Sequence, residues 1–203
     1  KPRFAHLLMR YILALDSQFA GKWTIDPDHS RIGFSARHAM VTKVRGAFND
    51  VQGTAFIDPE NWKKSYANVS IRVDSIDTRN AQRDEHLRNN DFFDVAHYPT
   101  IEFVSTSIDE VDENQFIAMG ELSMHGVTKP VSIPLDLTGI NQDSFGNIRA
   151  GLEGGRRIDR KDWGITWNAA LDAGGVMVSE KISLEFELSL VKETEDSSAD
   201  TAA

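Results

Sequence analysis

The chain has 203 residues, 40% of them apolar, which is enough for one sizeable core and short for two full domains. Its 22 Lys and Arg stand against 31 Asp and Glu, and a net charge of −9 argues against a nucleic-acid partner, because phosphate backbones are bound by excess positive charge. With no cysteine, disulfides, thiolate nucleophiles and thiolate-ligated zinc are all excluded.

Residues 1–21 read as an N-terminal extension. Phe4, Leu7, Leu8, Tyr11, Ile12 and Leu15 fall on helical spacing, so an amphipathic helix is expected that covers the core or a neighbouring subunit. Membrane-surface attachment through Lys1, Arg3 and Arg10 is the weaker reading of so short a stripe. Arg10 interrupts the apolar run before Asp16, which does not suit a secretory signal. A cytoplasmic location is therefore expected, with periplasmic or secreted as the alternative. No stretch reaches the roughly 20 apolar residues of a spanning helix, so stable membrane insertion is not expected.

From Trp23 to Lys192 the dominant period is two. Ile32, Phe34 and Ala36 alternate with Arg31, Ser35 and Arg37; Val69, Ile71 and Val73 alternate with Ser70, Arg72 and Asp74. One segment breaks the pattern. Between Thr78 and Pro99 a polar helix is expected over about 79–90, capped by Asn80, with Asp84 in its first turn and Arg88 in its last, as the helix dipole favours. Only Ala81 and Leu87 offer it an apolar side, so it packs over something. Phe92 and Phe93, set between Asp91 and Asp94, follow as the hinge of a charged lid at the mouth of an apolar cavity.

The strand pattern resumes at Ile101 and Phe103, then from Phe116 to Met124, at Val131, Ile133, Leu135 and Leu137, and from Ile148 to Leu152. Ile182, Leu184, Phe186, Leu188 and Leu190 make the clearest dry face, opposite Ser183, Glu185, Glu187 and Ser189. Turn signals such as Asp58-Pro59-Glu60-Asn61 and Asp112-Glu113-Asn114 separate the strands at spacings that suit antiparallel neighbours. Many amphipathic strands with one helix must close on themselves to bury their apolar faces. The fold expected is all-β, a lipocalin-like antiparallel barrel of about eight strands over 22–192, with an interior for packed side chains or one slender ligand. Residues 193–203 are acidic, lack large apolar side chains and are expected to be disordered.

Four segments stand out on this frame: Trp23-Thr24-Ile25-Asp26-Pro27-Asp28-His29-Ser30, the lid segment, the hairpin Gly120-Glu121-Leu122-Ser123-Met124-His125-Gly126-Val127-Thr128-Lys129-Pro130-Val131, and Arg160-Lys161-Asp162-Trp163-Gly164-Ile165. In this order, over roughly Trp23 to Val191, they resemble the YceI-like family of lipid-binding, lipocalin-like barrels, often called polyisoprenoid-binding proteins. Trp163 stands where that family commonly has Phe, and Ser123 where it has Thr. The extension before Gly21 takes the place of a cleavable leader, and Val44-Arg45-Gly46, Asn168 and Gly174-Gly175 make the chain more similar to leaderless cytoplasmic members.

The resemblance implies non-catalytic binding, storage or transport of a long-chain isoprenoid or related lipid in the barrel: a polyprenyl phosphate, a prenyl quinone or a fatty amide. No cofactor is expected, and a homodimer is compatible with it. The wall residues expected are Phe34, Phe48, Val69, Ile71, Ile101, Phe103, Leu122, Leu135 and Phe186, with Phe92 and Phe93 near the mouth. The bland reading of the same residues is that they pack against one another. Trp163 and Trp167 are candidates to stack on an isoprene unit or quinone ring. Arg156 and Arg160, two strand pleats apart, are the candidate head-group cations, because guanidinium binds phosphate bidentately; Arg79 and Arg83 on the lid are rivals. The six histidines lack paired metal spacing, and His29 is expected to tie down a strand entry beside Asp26 and Ser30. The other functional class is a small-barrel lyase or isomerase using an inward His with Asp94 or Asp162, and it has no nucleophile elbow, phosphate-cradling loop or carboxylate pair behind it.

Overall fold

The computed structural model describes residues 18–194. The expected N-terminal amphipathic helix and most of the acidic tail lie outside these described residues. Within them run β1 (Gly21–Ile25), β2 (Arg31–His38), β3 (Thr42–Phe48), β4 (Val51–Ile57), β5 (Tyr66–Arg72), β6 (Ile76–Asp77), the helix α1 (Ala81–Arg88), β7 (Thr100–Asp112), β8 (Gln115–Met124), β9 (Val127–Gln142), β10 (Ile148–Asp159) and β11 (Lys181–Lys192).

Every pairing between strands is antiparallel, and eight of them close a ring in the order β1, β4, β5, β7, β8, β9, β10, β11 and back to β1. The barrel expected from the period-two pattern is therefore the fold. Closure uses β11 twice, since Leu190–Lys192 pair with β1 while Ser183–Glu187 pair with β2. Between those partners the chain turns at Asp26, whose carboxylate accepts from the Asp28 amide and bonds the His29 ring at 2.8 Å. That is the tie expected of His29. β2, β3 and β6 then extend one end of the barrel.

Two glycines let large rings lie against the sheet. A Cβ on Gly46 would sit 2.5 Å from the Phe34 ring, its direct register partner, and one on Gly120 would sit 2.6 Å from the Phe103 ring. The alternation read through Val73 stops earlier than expected, because Val73–Ser75 form a 3-10 turn that packs Val73 at 1% exposure before β6 begins.

The polar helix is where the sequence placed it. The Asn80 side chain accepts from the Arg83 amide at 2.9 Å, as a capping residue does. Asp84 is buried rather than solvated: it accepts from the Thr78 amide at 2.9 Å and from the Thr78 hydroxyl at 2.5 Å. Arg83 reaches back to the same threonine, donating to its hydroxyl and its carbonyl, both at 2.7 Å. These contacts fasten the helix to the end of β6 through polar groups, and only Leu87 faces the lumen from it. No helix among the described residues is long and apolar enough to cross a membrane.

Candidate functional site

The barrel encloses a cavity of about 250 Å³. Its extent is traced by β11, where Ile182, Leu184, Phe186, Leu188 and Leu190 all line it. An advance of eight residues at about 3.4 Å each spans roughly 27 Å along the strand, so the space is long for its volume. All five side chains face inward yet remain only half-buried, because they border empty space. Packed cores do not leave a row of large apolar residues accessible in this way. An engineered apolar cavity of about 150 Å³ already stays dry and takes up benzene.

Phe34 and Phe48 line the cavity from β2 and β3, Val69 and Ile71 from β5, Ile101 and Phe103 from β7, Leu122 from β8 and Leu135 from β9. Each sits on the inward parity of its strand. Phe92 and Phe93 reach the same space because the chain doubles back after α1, with the Phe93 amide donating to the Leu87 carbonyl at 3.0 Å and the Val95 amide to that of Arg88 at 2.9 Å. Phe93 then meets the Phe48 ring edge-on at 5.9 Å, and Phe48 meets Phe34 at 5.6 Å. Ile133 and Leu152 also line the wall, on inward positions that the period-two pattern carried but did not single out, and so does Ile158, because β10 runs on to Asp159, past Leu152, where the pattern expected from the sequence ends.

Among the described residues, Arg160 is the one ionisable side chain in this wall. It is 5% exposed, in the 3-10 turn Arg160–Trp163 that follows β10. Its Nε donates to the Ser179 carbonyl at 3.0 Å, Nη1 to Ile165 at 2.7 Å and Nη2 to Val178 at 3.4 Å, and its guanidinium carbon lies 6.0 Å from the centre of the Phe92 ring. Burial pushes its pKa down, against the favourable charges of Glu180 and Asp159, but a guanidinium stays charged at neutral pH. It has five N–H groups and three of these donate to carbonyls, which leaves two for a ligand.

Three of the sequence-derived candidates stand elsewhere. Trp163 is 2% exposed and donates its indole N–H to the Leu122 carbonyl at 2.9 Å, holding the turn after β10 against the end of β8. Trp167 packs on Phe92 at 5.2 Å and on His86 at 4.8 Å, behind the lid and outside the cavity lining. Arg156 is exposed. Its register partner Leu184 puts it on the inward parity, but the pairing of β9 with β10 ends at Leu135 and Gly154, so no strand covers it on that side. Arg156 and Arg160 thus do not form one cluster. Arg83 is committed to Thr78, and Arg79 is exposed in a left-handed turn with φ of 66°.

The carboxylates weighed for catalysis do not enter the cavity wall. Asp94 bonds His97 at 2.9 Å, and Asp162 is exposed. Among the described residues no three His, Asp or Glu side chains converge to hold a metal.

The family model for the YceI-like domain matches residues 23–190. A UPF0312 protein of Shewanella denitrificans is 34% identical over 189 residues, covering 92% of this chain and 97% of its own. Among solved structures, BcnA of Burkholderia cenocepacia is similar with a TM-score of 0.71 at 21% identity, over 81% of this chain and 98% of that one. A polyisoprenoid binding domain from Saccharophagus degradans, implicated in plant cell wall breakdown, is similar with a TM-score of 0.63 at 15% identity, over 84% of this chain and 98% of its own. At these identities the two structures speak for the fold.

Proposed function

Because the chain belongs to the YceI-like domain family, we propose that it binds a long-chain isoprenoid or related lipid in the barrel lumen, as a store or carrier that leaves the ligand unchanged. One observation carries the reading: inward apolar residues from all eight ring strands border an empty, elongated cavity instead of filling it. Burying roughly ten methylene-sized groups there is worth about 8 kcal/mol, which exceeds the lower estimates of the entropic cost of association. The polyisoprenoid ligand of the Saccharophagus degradans domain is consistent with a tail of this kind. An enzyme would bring several titratable groups together inside, and this wall carries Arg160 alone.

Arg160 is our first choice as the head-group anchor, with Arg156, on β10 where it diverges from β9, as an outer cation. Titrating a polyprenyl phosphate and a neutral prenyl quinone into the wild type and into Arg160→Gln and Arg156→Ala tests both parts. Saturable binding of either ligand by the wild type supports the lumen. A loss of about 1.5–3 kcal/mol, roughly 10- to 150-fold, for the phosphate alone in Arg160→Gln supports the anchor. Equal phosphate affinity in all three proteins assigns the head group elsewhere.

A further inference from the structure

A second cavity, of about 80 Å³, lies beyond the first. The two share six lining residues: Ala55 on β4, Ala67 on β5, Ala118 on β8, Leu135 on β9, Leu152 on β10 and Leu190 on β11. One residue from each of six different ring strands makes a belt around the lumen. Its composition is uneven. The leucines come from three strands that are neighbours in the sheet, while Ala55 and Ala67 lie directly opposite each other in register and Ala118 pairs with Ile108 on one side and Ile133 on the other. The next inward position on β5 is the larger Val69, while at Gly53 on β4 and Gly120 on β8 the Ile25 side chain and the Phe103 ring take up the space, so the gap left by small side chains is local to the belt.

Below it the second cavity ends on aromatic rings. Trp23 is 1% exposed and donates its indole N–H to the Phe19 carbonyl at 2.9 Å, and Phe116 is braced by Phe19 at 5.7 Å and by Trp62 at 5.8 Å. A tail that passed the belt would therefore meet a blind end.

We propose that Ala55, Ala67 and Ala118 are specificity-determining residues that fix the length of apolar tail the protein accepts. This rests on the lumen-binding reading. Short tails occupy the larger cavity alone. Longer ones thread the gap left by the three alanines and end in the smaller chamber against Phe116. Leucine at an alanine position adds three carbons where the two cavities meet and closes the passage between them.

The test is a homologous series of straight-chain primary alcohols, titrated into the whole protein. In the wild type, affinity rises by about fourfold for each methylene that finds a buried place, then levels at the length that reaches the blind end. In Ala67→Leu and Ala118→Leu the rise stops at a shorter length, while below that length the gain stays near fourfold per methylene. Ala55→Val, a smaller addition, gives an intermediate limit and serves if either leucine variant loses the barrel signature in circular dichroism. The same limiting length in the wild type and in every folded variant overturns the assignment of the alanines while leaving lumen binding intact. Failure of the wild type to bind an alcohol of any length overturns both.

Discussion

The two ends of the lumen are closed by different means. At the aromatic end Trp23, Phe116, Trp62 and Phe19 pack on one another, and outside them Arg149 joins Asp26 at 2.5 Å and Asp143 at 2.7 Å, tying the β9–β10 turn to the entry of β2. At the helix end the closing pieces are α1, the doubled-back segment carrying Phe92 and Phe93, and the stretch 164–180, which joins the sheet through one isolated bridge, His38 with Val178, and closes on itself through another, Ala170 with Val176. Opening the first end means separating buried rings and strands of the closed ring. Opening the second means moving pieces held mainly by side-chain bonds and short turns, and segments of that kind open at low free energy. On the lumen-binding proposal a ligand would enter where less must be undone, at the helix end beside Arg160, with Phe116 at the far end.

The largest effect is expected midway between the ends. Phe186→Asp sets a carboxylate in an apolar lumen with no partner, and should abolish lipid copurification, with circular dichroism confirming that the barrel persists. Phe103→Asp tests the opposite wall in the same way. If either folded variant still brings down lipid in equal yield, the row it belongs to does not line the site.

Next come the ends themselves. Phe116→Ala removes a ring that is 9% exposed and braced on two sides, and should cost about 3–5 kcal/mol in urea unfolding. Phe93→Ala, half-buried and bordering space that is already empty, should cost roughly half as much and should speed ligand release. Equal costs would mean that the two ends are closed alike. Asp84→Ala strands the buried Thr78 amide and should cost about 1–3 kcal/mol, with faster amide hydrogen exchange across α1 than in the ring strands.

The smallest effect is a pH dependence at the aromatic end. The hydrogen bond from Arg149 holds the Asp143 carboxyl far below its ordinary value near 3.8, and the bonds from Arg149, His29 and the Asp28 amide outweigh burial to lower Asp26 as well. A carboxylate lowered by folding stabilises the protein above its unfolded pKa and loses that contribution as pH falls through the folded one. The wild type should therefore exceed Arg149→Gln in stability at neutral pH, and the gap should begin to narrow as pH falls through about 3.8 and go on narrowing below it. A gap that closes between pH 7 and 5 would assign the coupling to some other group.

The inward rows were legible because strand parity and burial coincide in a closed barrel, and β11 carries five large apolar residues in strict alternation. β3 and β4 were harder to read, since Gly46 and Gly53 interrupt the pattern where a ring or a neighbouring side chain takes up the space. The indole of Trp163 looks like a ligand platform in the sequence and proves to be a clamp on Leu122, because its hydrogen-bond partner is distant in the chain and leaves no local trace. Arg156 and Arg160 share a parity, and only the parting of β9 from β10 after Gly154 separates their environments. The alanine belt was invisible to a pattern that counts large residues, although the space left by small ones shapes the lumen equally.

Mass spectrometry of an organic extract of the natively purified protein tests the central claim most directly. The expected result is a long-chain isoprenoid or related lipid at near-equimolar yield, lost in a folded Phe186→Asp variant. An extract with no lipid, from a protein that also fails to take up added polyprenyl phosphate or prenyl quinone in saturable fashion, would contradict the assignment of the lumen as a lipid site.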